Sequence, residues 1–527
     1  MKKISLFLSF AFAALFCNAQ EVENAAVVKR DDPLKDYLRP SLTVIYVDRG
    51  ESLSGQLIEQ MKANGLSGKF NDNSIEHSLL SVKGPITETE LAGHLEKEVT
   101  GDIVRRWFPY DSEKKEYSTA VIEERGMYNA TDADVIAAKA SARKDDLLKT
   151  AGLQLIDRSY IVVYDFYDTK RLSDENSHGY ETSCNVYLYK LDWNPEVEAL
   201  FYEQWENPDA IDQLRFPVKH IASIVKKSHL TPVKVTQSNT KDFLTLSEEK
   251  LFEAFTKEIE KTADVYLTQA NEDFKVKAPI FAVSPIRAKI GRKEGLTVDQ
   301  RYFAYEIELD EQGERVTKRK GVVRATSSIV KNDTVATGNG GTSKFYQVHG
   351  RKLQEGMLLQ QKPDFGISIS ALGGSDVTVL GEFSVGMWLG KYIPSLQNLK
   401  VPYGTKIYLK YSLPLSSMEI DGDKLIDEND KEMTWSLVGV GISKDFYFAR
   451  ILSVTPYVGF SSLLVPEDYK ESAEAIGKAT SGFEAGLNLT IAVLHNVQLT
   501  GNAGYNGVKA NWYSSEIVYG GGLRIQF

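Results

Sequence analysis

The chain has little of what usually carries chemistry. It holds two cysteines in 527 residues, and Cys17 falls in the first apolar segment. Cys184 would therefore stand alone in a processed chain, and no intramolecular disulfide could form. Within a β-branched, aromatic run it reads as a small buried apolar side chain rather than a thiol nucleophile. The seven histidines are His77, His94, His178, His220, His229, His349 and His495. No two of them stand four apart on a helix with a glutamate, which excludes a zinc-protease motif. His220 and His229 have no common metal-site spacing, so the histidines read as separate surface residues. No Gly-x-Ser-x-Gly elbow occurs. Gly338-Asn339-Gly340-Gly341 lacks the lysine and the helix of a phosphate loop. Positive charge is also short: 62 Lys and Arg against 72 Asp and Glu give a net charge of −10. That argues against broad nucleic-acid binding and is ordinary for a periplasmic or surface protein.

Long apolar runs are missing too. The run from Ile4 to Cys17 follows Lys2 and Lys3 and precedes Asn18-Ala19-Gln20. It is too short to span a bilayer as a helix and has the layout of a secretory signal, with cleavage expected between Ala19 and Gln20. A lipoprotein would acylate Cys17, but Phe16 stands where a small residue is needed. No later segment reaches the length of a spanning helix, which leaves a soluble secreted protein or a barrel crossing by strands.

What is present is period-two alternation. From Phe365 onward eight segments alternate. The third sets Ile407, Leu409, Tyr411 and Leu413 against Lys406, Tyr408, Lys410 and Ser412. The fifth sets Leu452, Val454, Pro456, Val458 and Phe460 against Ser453, Thr455, Tyr457 and Gly459. The sixth is the cleanest, with Phe483, Ala485, Leu487, Leu489 and Ile491 opposing Gly482, Glu484, Gly486, Asn488 and Thr490. The eighth puts Ile517, Tyr519, Gly521, Leu523, Ile525 and Phe527 on one face. Each segment has the length a tilted strand needs to cross a bilayer. A soluble barrel or sandwich with its apolar face inward shows the same period. The small, glycine-rich polar face favours the lipid-facing reading. An even strand count puts both barrel ends on one side, which makes Ser416–Met433 and Leu463–Ser481 outward loops and 391–402 a long inward connection.

This third of the chain resembles the small outer-membrane barrels of the OmpA-like and OmpX-like group. The resemblance rests on the strand period and on Tyr519, Leu523, Ile525 and Phe527, which look like that group's barrel-assembly signal. It implies a lipid-embedded anchor, handled during biogenesis by the barrel-assembly machinery.

Ahead of the barrel two regions are expected. Residues 20–275 mix helices and strands: a strand at Leu42–Val47, and helices at Ser52–Asn64, Thr87–Phe108, Thr131–Gly152 and Thr245–Glu260. A hairpin is expected from Arg158–Asp168 and Thr182–Trp193 around a polar loop. That predicts an α+β domain, with room for two lobes. Residues 276–362 have short strands broken by glycines, the pattern of a small all-β domain. Ile290 to Leu296, Gly321 to Arg324 and Gly350 to Met357 resemble the SH3-like module of periplasmic flagellar-assembly proteins. The region before it is loosely similar to the fold of curli-secretion lipoproteins. Both imply scaffolding rather than chemistry.

The chain thus reads as multidomain: a signal at 1–19, an α+β periplasmic domain at 20–275, an SH3-like domain at 276–362, and an eight-stranded antiparallel transmembrane β-barrel at 363–527. The expected function is a non-catalytic outer-membrane anchor for a periplasmic interaction module, needing no cofactor or metal. Its expected partners are outer-membrane lipid, the assembly machinery and an unidentified envelope protein. Two other readings stay open: a surface binding protein acting through the outer loops, and a periplasmic enzyme of unrecognised class. The acidic residues Asp421, Asp423, Asp427 and Asp430 do not match a calcium loop and read as a solvated outer loop. The basic cluster Arg315, Lys318, Arg319 and Lys320 reads as a solvated hairpin balanced by Glu311 and Glu314.

Overall fold

The computed structural model describes residues 39–129, 153–392 and 402–527, apart from residues 154, 206, 212, 225–231, 241–244, 310–314, 333–340, 375–378, 413–418, 421–422, 425, 427–431, 433–435, 449, 465–480, 511–512 and 515–516. The expected cleavage site at Ala19 and Gln20 and the expected helix over Thr131–Gly152 lie outside the described residues, as does most of the two expected outer loops.

The first region is built on one mixed sheet. Its strands are β1 (Ser41–Asp48), β2 (Asn71–Asp72), β3 (Leu79–Ser81), β4 (Ser159–Ser173), β5 (Ser177–Leu191), β6 (Val218–Ile224) and β7 (Val233–Ser238). The order is β2-β1-β4-β5-β6, with β3 also on β1 and β7 also on β5. β1 runs parallel to β4, and β4 and β5 form an antiparallel hairpin. Strands from both halves of the region share this sheet. Most of the polar stretch expected as the hairpin loop is strand instead, which leaves only Asp174, Glu175 and Asn176 between the arms. The hairpin arms run on past the sheet's apolar part, and Lys170 pairs with Glu181 at 2.8 Å across them.

Alternation in β1 explains the two cores. Leu42 and Tyr46 face helices α1 (Ser54–Asn64) and α6 (Glu248–Ala270), while Ile45 and Val47 face the other side. There they meet α2 (Glu88–His94), a five-residue π segment, α3 (Thr100–Trp107) and α5 (Pro195–Glu203); α4 (Ala120–Asn129) lies between the last two in the chain. Thr87 and Glu90 form the capping box that starts α2, satisfying two amides the first turn leaves open. Asn194 and Pro195 start α5. α6 runs ten residues beyond its expected end at Glu260, because Ala263 and Leu267 continue the buried stripe of Leu251, Phe255 and Ile259. Cys184 is buried in β5.

The second region is a closed six-stranded barrel of β8 (Lys277–Val283), β9 (Ile286–Ala288), β10 (Arg301–Leu309), β11 (Arg315–Ala325), β12 (Ser343–Gly350) and β13 (Leu358–Gln361). Its neighbours run in the order β8-β9-β12-β11-β10-β13. Glu272, just after α6, ties it to the first region. It pairs with Lys275 and Lys277 and accepts from Gln360 of β13 at 2.7 Å.

The third region is a closed antiparallel barrel of eight long strands: β14 (Ile367–Gly374), β15 (Val379–Trp388), β16 (Thr405–Ser412), β17 (Ser436–Lys444), β18 (Leu452–Leu464), β19 (Ser481–Ala492), β20 (Val497–Asn506) and β21 (Ile517–Gln526). Each strand pairs with the next in sequence, and the ring closes where the last strand meets the first. β17 pairs with β18, and the last strand, β21, lies between β20 and the first, β14. Phe527 completes that seam: its amide donates to Ile367 at 2.8 Å and its carbonyl accepts from Gly366 at 3.1 Å.

Candidate functional site

The eight-stranded barrel is inside out relative to a soluble one. Outward residues are apolar and exposed: Leu409, Val440, Ile442, Val458, Leu487, Leu489, Leu499 and Leu523 are all between 43% and 52% exposed. Aromatic rings flank this aliphatic belt. Phe460, Phe483, Tyr505 and Tyr519 stand toward one end, and Phe446 and Phe448 at the other. The row of Phe460 and the row of Leu452, which pairs with Phe448, are separated by about 27 Å of strand, or about 21 Å of height at a tilt of about 40°.

Inward residues are polar and charged. Asp445, in the turn after β17, accepts from Lys406 at 2.9 Å, from Thr455 at 2.7 Å and from Arg524 at 3.0 Å. Higher in the lumen Glu484 pairs with Lys410 and accepts from Tyr408 at 2.6 Å and Ser461 at 2.5 Å. The glycines of the inner face make this possible. A Cβ at Gly441 or Gly459 would come within 2.5 Å of the Tyr408 hydroxyl, and one at Gly504 within 2.4 Å of the Tyr457 hydroxyl. The lumen holds a cavity of about 60 Å³ bordered by Ser370, Tyr408, Lys410, Asn488 and Asn502. That is room for a few waters rather than a solute path.

The end of the barrel carrying Gly366 and Phe527 is covered by the six-stranded barrel. Asp299 accepts from the Gly404 amide at 2.8 Å and from the Tyr346 hydroxyl at 2.7 Å. Tyr346 packs on Tyr403 and Tyr447 of the larger barrel. Arg324, fully buried on β11, donates to the Asp299 carbonyl at 2.6 Å and to Asp364 at 2.5 Å. Its guanidinium lies 4.4 Å from the Trp388 ring, and Lys406 approaches the same ring at 4.8 Å. Trp388 therefore joins the buried charges of one barrel to those of the other. Burial pushes the Asp299 carboxyl up to about 6 and pulls Arg301 down to about 10. His495, in the turn between β19 and β20, is pulled down to about 4 by burial and then by Arg319 and Arg301. It packs edge-on to Phe303.

Tyr519 and Leu523 are exposed on the outward face of β21, and Ile525 and Phe527 are half-buried on the same face beside β14. Four of the six described histidines, His94, His178, His349 and His495, are partly covered rather than fully on the surface, the last two at the junction. His77 is exposed and hydrogen-bonds Asp102 at 2.6 Å. Lys318 and Lys320 of the basic cluster pair with Glu306 and Glu308 across β10, while Glu311 and Glu314 lie outside the described residues. Among the described residues no group of three or more His, Cys, Asp or Glu side chains is arranged to hold a metal. Sequence reading missed Asp299, Arg324, Asp364 and Trp388, which come together only across the junction. The one available signal was a charge, Arg324, at the end of the apolar run Val322-Val323. No family model and no curated protein matches the chain, so its functional reading rests on geometry.

Proposed function

We propose that the eight-stranded barrel is embedded in an outer membrane and anchors the two preceding regions in the periplasm as a non-catalytic interaction or scaffold module. The observation that carries this is the aliphatic belt between two sets of aromatic rings. Its height of about 21 Å is close to the apolar band of about 25 Å that lipid-embedded barrels present. Exposing so many leucine, valine and isoleucine side chains to water would be costly, at about 25 cal/mol per Å² of apolar surface. The lumen, filled by Asp445, Glu484 and their partners, suits an anchor rather than a pore.

Both ends of an even-stranded barrel lie on one side, the periplasmic side in this class. The six-stranded barrel sits at that end, which puts it in the periplasm on this reading. We read it as the SH3-like module and the sheet-and-helix region before it as the partner-binding part. Cell fractionation with protease shaving of whole cells tests the topology. The intact chain should follow the outer membrane, with residues 39–362 protected until the envelope is opened. Recovery with soluble periplasm, or cleavage of that part on whole cells, would overturn it.

A further inference from the structure

We propose that one face of the β10–β11 hairpin rests on the phospholipid surface of the periplasmic leaflet beside the barrel. This deepens the membrane reading above and rests on it. Successive outward positions of β10 are Phe303, Tyr305, Ile307 and Leu309. The first two are 3% and 8% exposed and belong to a cluster that includes Tyr447 of the larger barrel. Phe303 also meets His495 in the turn between β19 and β20. This strand face therefore points at the periplasmic end of the membrane barrel. The same face continues to Ile307 and Leu309, which are 44% and 70% exposed. Leu309 stands six residues beyond Phe303, about 20 Å along the strand. That carries it past the rim of an eight-stranded barrel while its face keeps the direction of the barrel end.

Two further observations identify the occupant. Val493 and Leu494, in the turn that holds His495, are 53% and 55% exposed. They extend the lipid-facing surface of β19, from Ile491, toward the hairpin. Arg319, opposite Tyr305, stacks its guanidinium 5.0 Å from the Phe303 ring, and no carboxylate pairs with it among the described residues. An exposed cation beside apolar side chains suits an interface of phosphate headgroups over acyl chains. The opposite face of the hairpin is chemically different. There Glu306 and Glu308 pair with Lys318 and Lys320, a neutralised ladder suited to water. Between Leu309 and Arg315 the sequence carries Asp310, Glu311 and Glu314, charges that favour a hairpin resting along the headgroups over one driven through them.

The test uses the full chain in vesicles of phosphatidylethanolamine with phosphatidylglycerol. A fluorophore is placed at Leu309→Cys or, separately, at Leu489→Cys, in a Cys17→Ser background; Cys184 is buried and unreactive. Lipids brominated high or low on the acyl chain serve as quenchers. The expected result is that both labels are quenched. Shallow bromines should act about twofold more strongly than deep ones at Leu309, in keeping with burial at the headgroup–acyl boundary. Arg319→Glu should weaken quenching at Leu309 and leave it unchanged at Leu489. Quenching at Leu489 with an unquenched label at Leu309 overturns the hairpin proposal and leaves the membrane reading standing. No quenching at either site overturns both. Protection of Leu309 that rises with protein density while bromolipid has no effect assigns the face to a second copy and likewise overturns the proposal.

Discussion

Arg324 of the six-stranded barrel lies 4.4 Å over the indole of Trp388, the last residue of β15 in the eight-stranded barrel. Asp364 fixes the guanidinium at 2.5 Å, and both side chains are fully buried. The contact makes the two barrels one electrostatic unit, because Lys406 of the lumen shares the same ring.

Removing one partner should show this. Arg324→Ala takes away the cation that Asp364 meets at 2.5 Å and leaves the buried Asp364 carboxyl with Arg301 at 3.6 Å among its neighbours. The expected loss is about 3–5 kcal/mol of unfolding free energy. Denaturant unfolding in micelles, followed by tryptophan fluorescence, would measure it. A loss below about 1 kcal/mol, the range of an exposed ion pair, would contradict the burial assigned to the pair.

Asp299 gives the junction a pH dependence of definite sign. Burial holds its carboxyl near 6 in the folded chain, against about 4 in the unfolded one. The stabilisation is complete below about pH 4 and is lost as pH rises through about 6, amounting to about 2–3 kcal/mol. Asp299→Asn should flatten this part of the stability profile while keeping an acceptor for the Gly404 amide. A profile unchanged by the substitution would show that another group titrates.

The lumen offers a paired comparison. Glu484→Ala removes the buried carboxylate that Lys410 pairs with and should cost about 3–5 kcal/mol, whereas Lys410→Met with Glu484→Leu should cost far less, since an apolar pair of similar volume needs no desolvation. Urea unfolding read by heat-modifiable gel migration distinguishes the two. Equal losses would mean that the ion pair is not what fills that layer.

Deleting Phe527 removes two backbone hydrogen bonds at the seam with β14. On the proposed outer-membrane reading it is also part of the assembly signal. The deletion should lower the fraction of chain showing heat-modifiable migration from cell envelopes. Unchanged migration would count against both roles.

The barrel strands were legible because one physical rule governs them all. A strand with an apolar outer face and a polar lumen on the other must alternate, and Phe483 to Ile491 alternates without a break. Thr87 with Glu90 marked a helix start for an equally local reason. The junction was not legible. Asp299, Arg324, Asp364 and Trp388 are spread over 90 residues, and nothing in the neighbours of any one of them says that the others will surround it. The arms of the β4–β5 hairpin were missed because Lys170 and Glu181 are polar on an exposed strand, where ladder hydrogen bonds, not side-chain pattern, hold the structure.

The central claim is that the outward face of the eight-stranded barrel meets lipid. Spin labels placed one at a time from Phe483 to Ile491, with the protein in vesicles, test it most directly. Oxygen collision should peak at Phe483, Ala485, Leu487, Leu489 and Ile491 and fall at Glu484, Gly486, Asn488 and Thr490, a period of two with little access to a water-soluble nickel complex at the peaks. A flat oxygen profile, or peaks equally open to nickel, would contradict it.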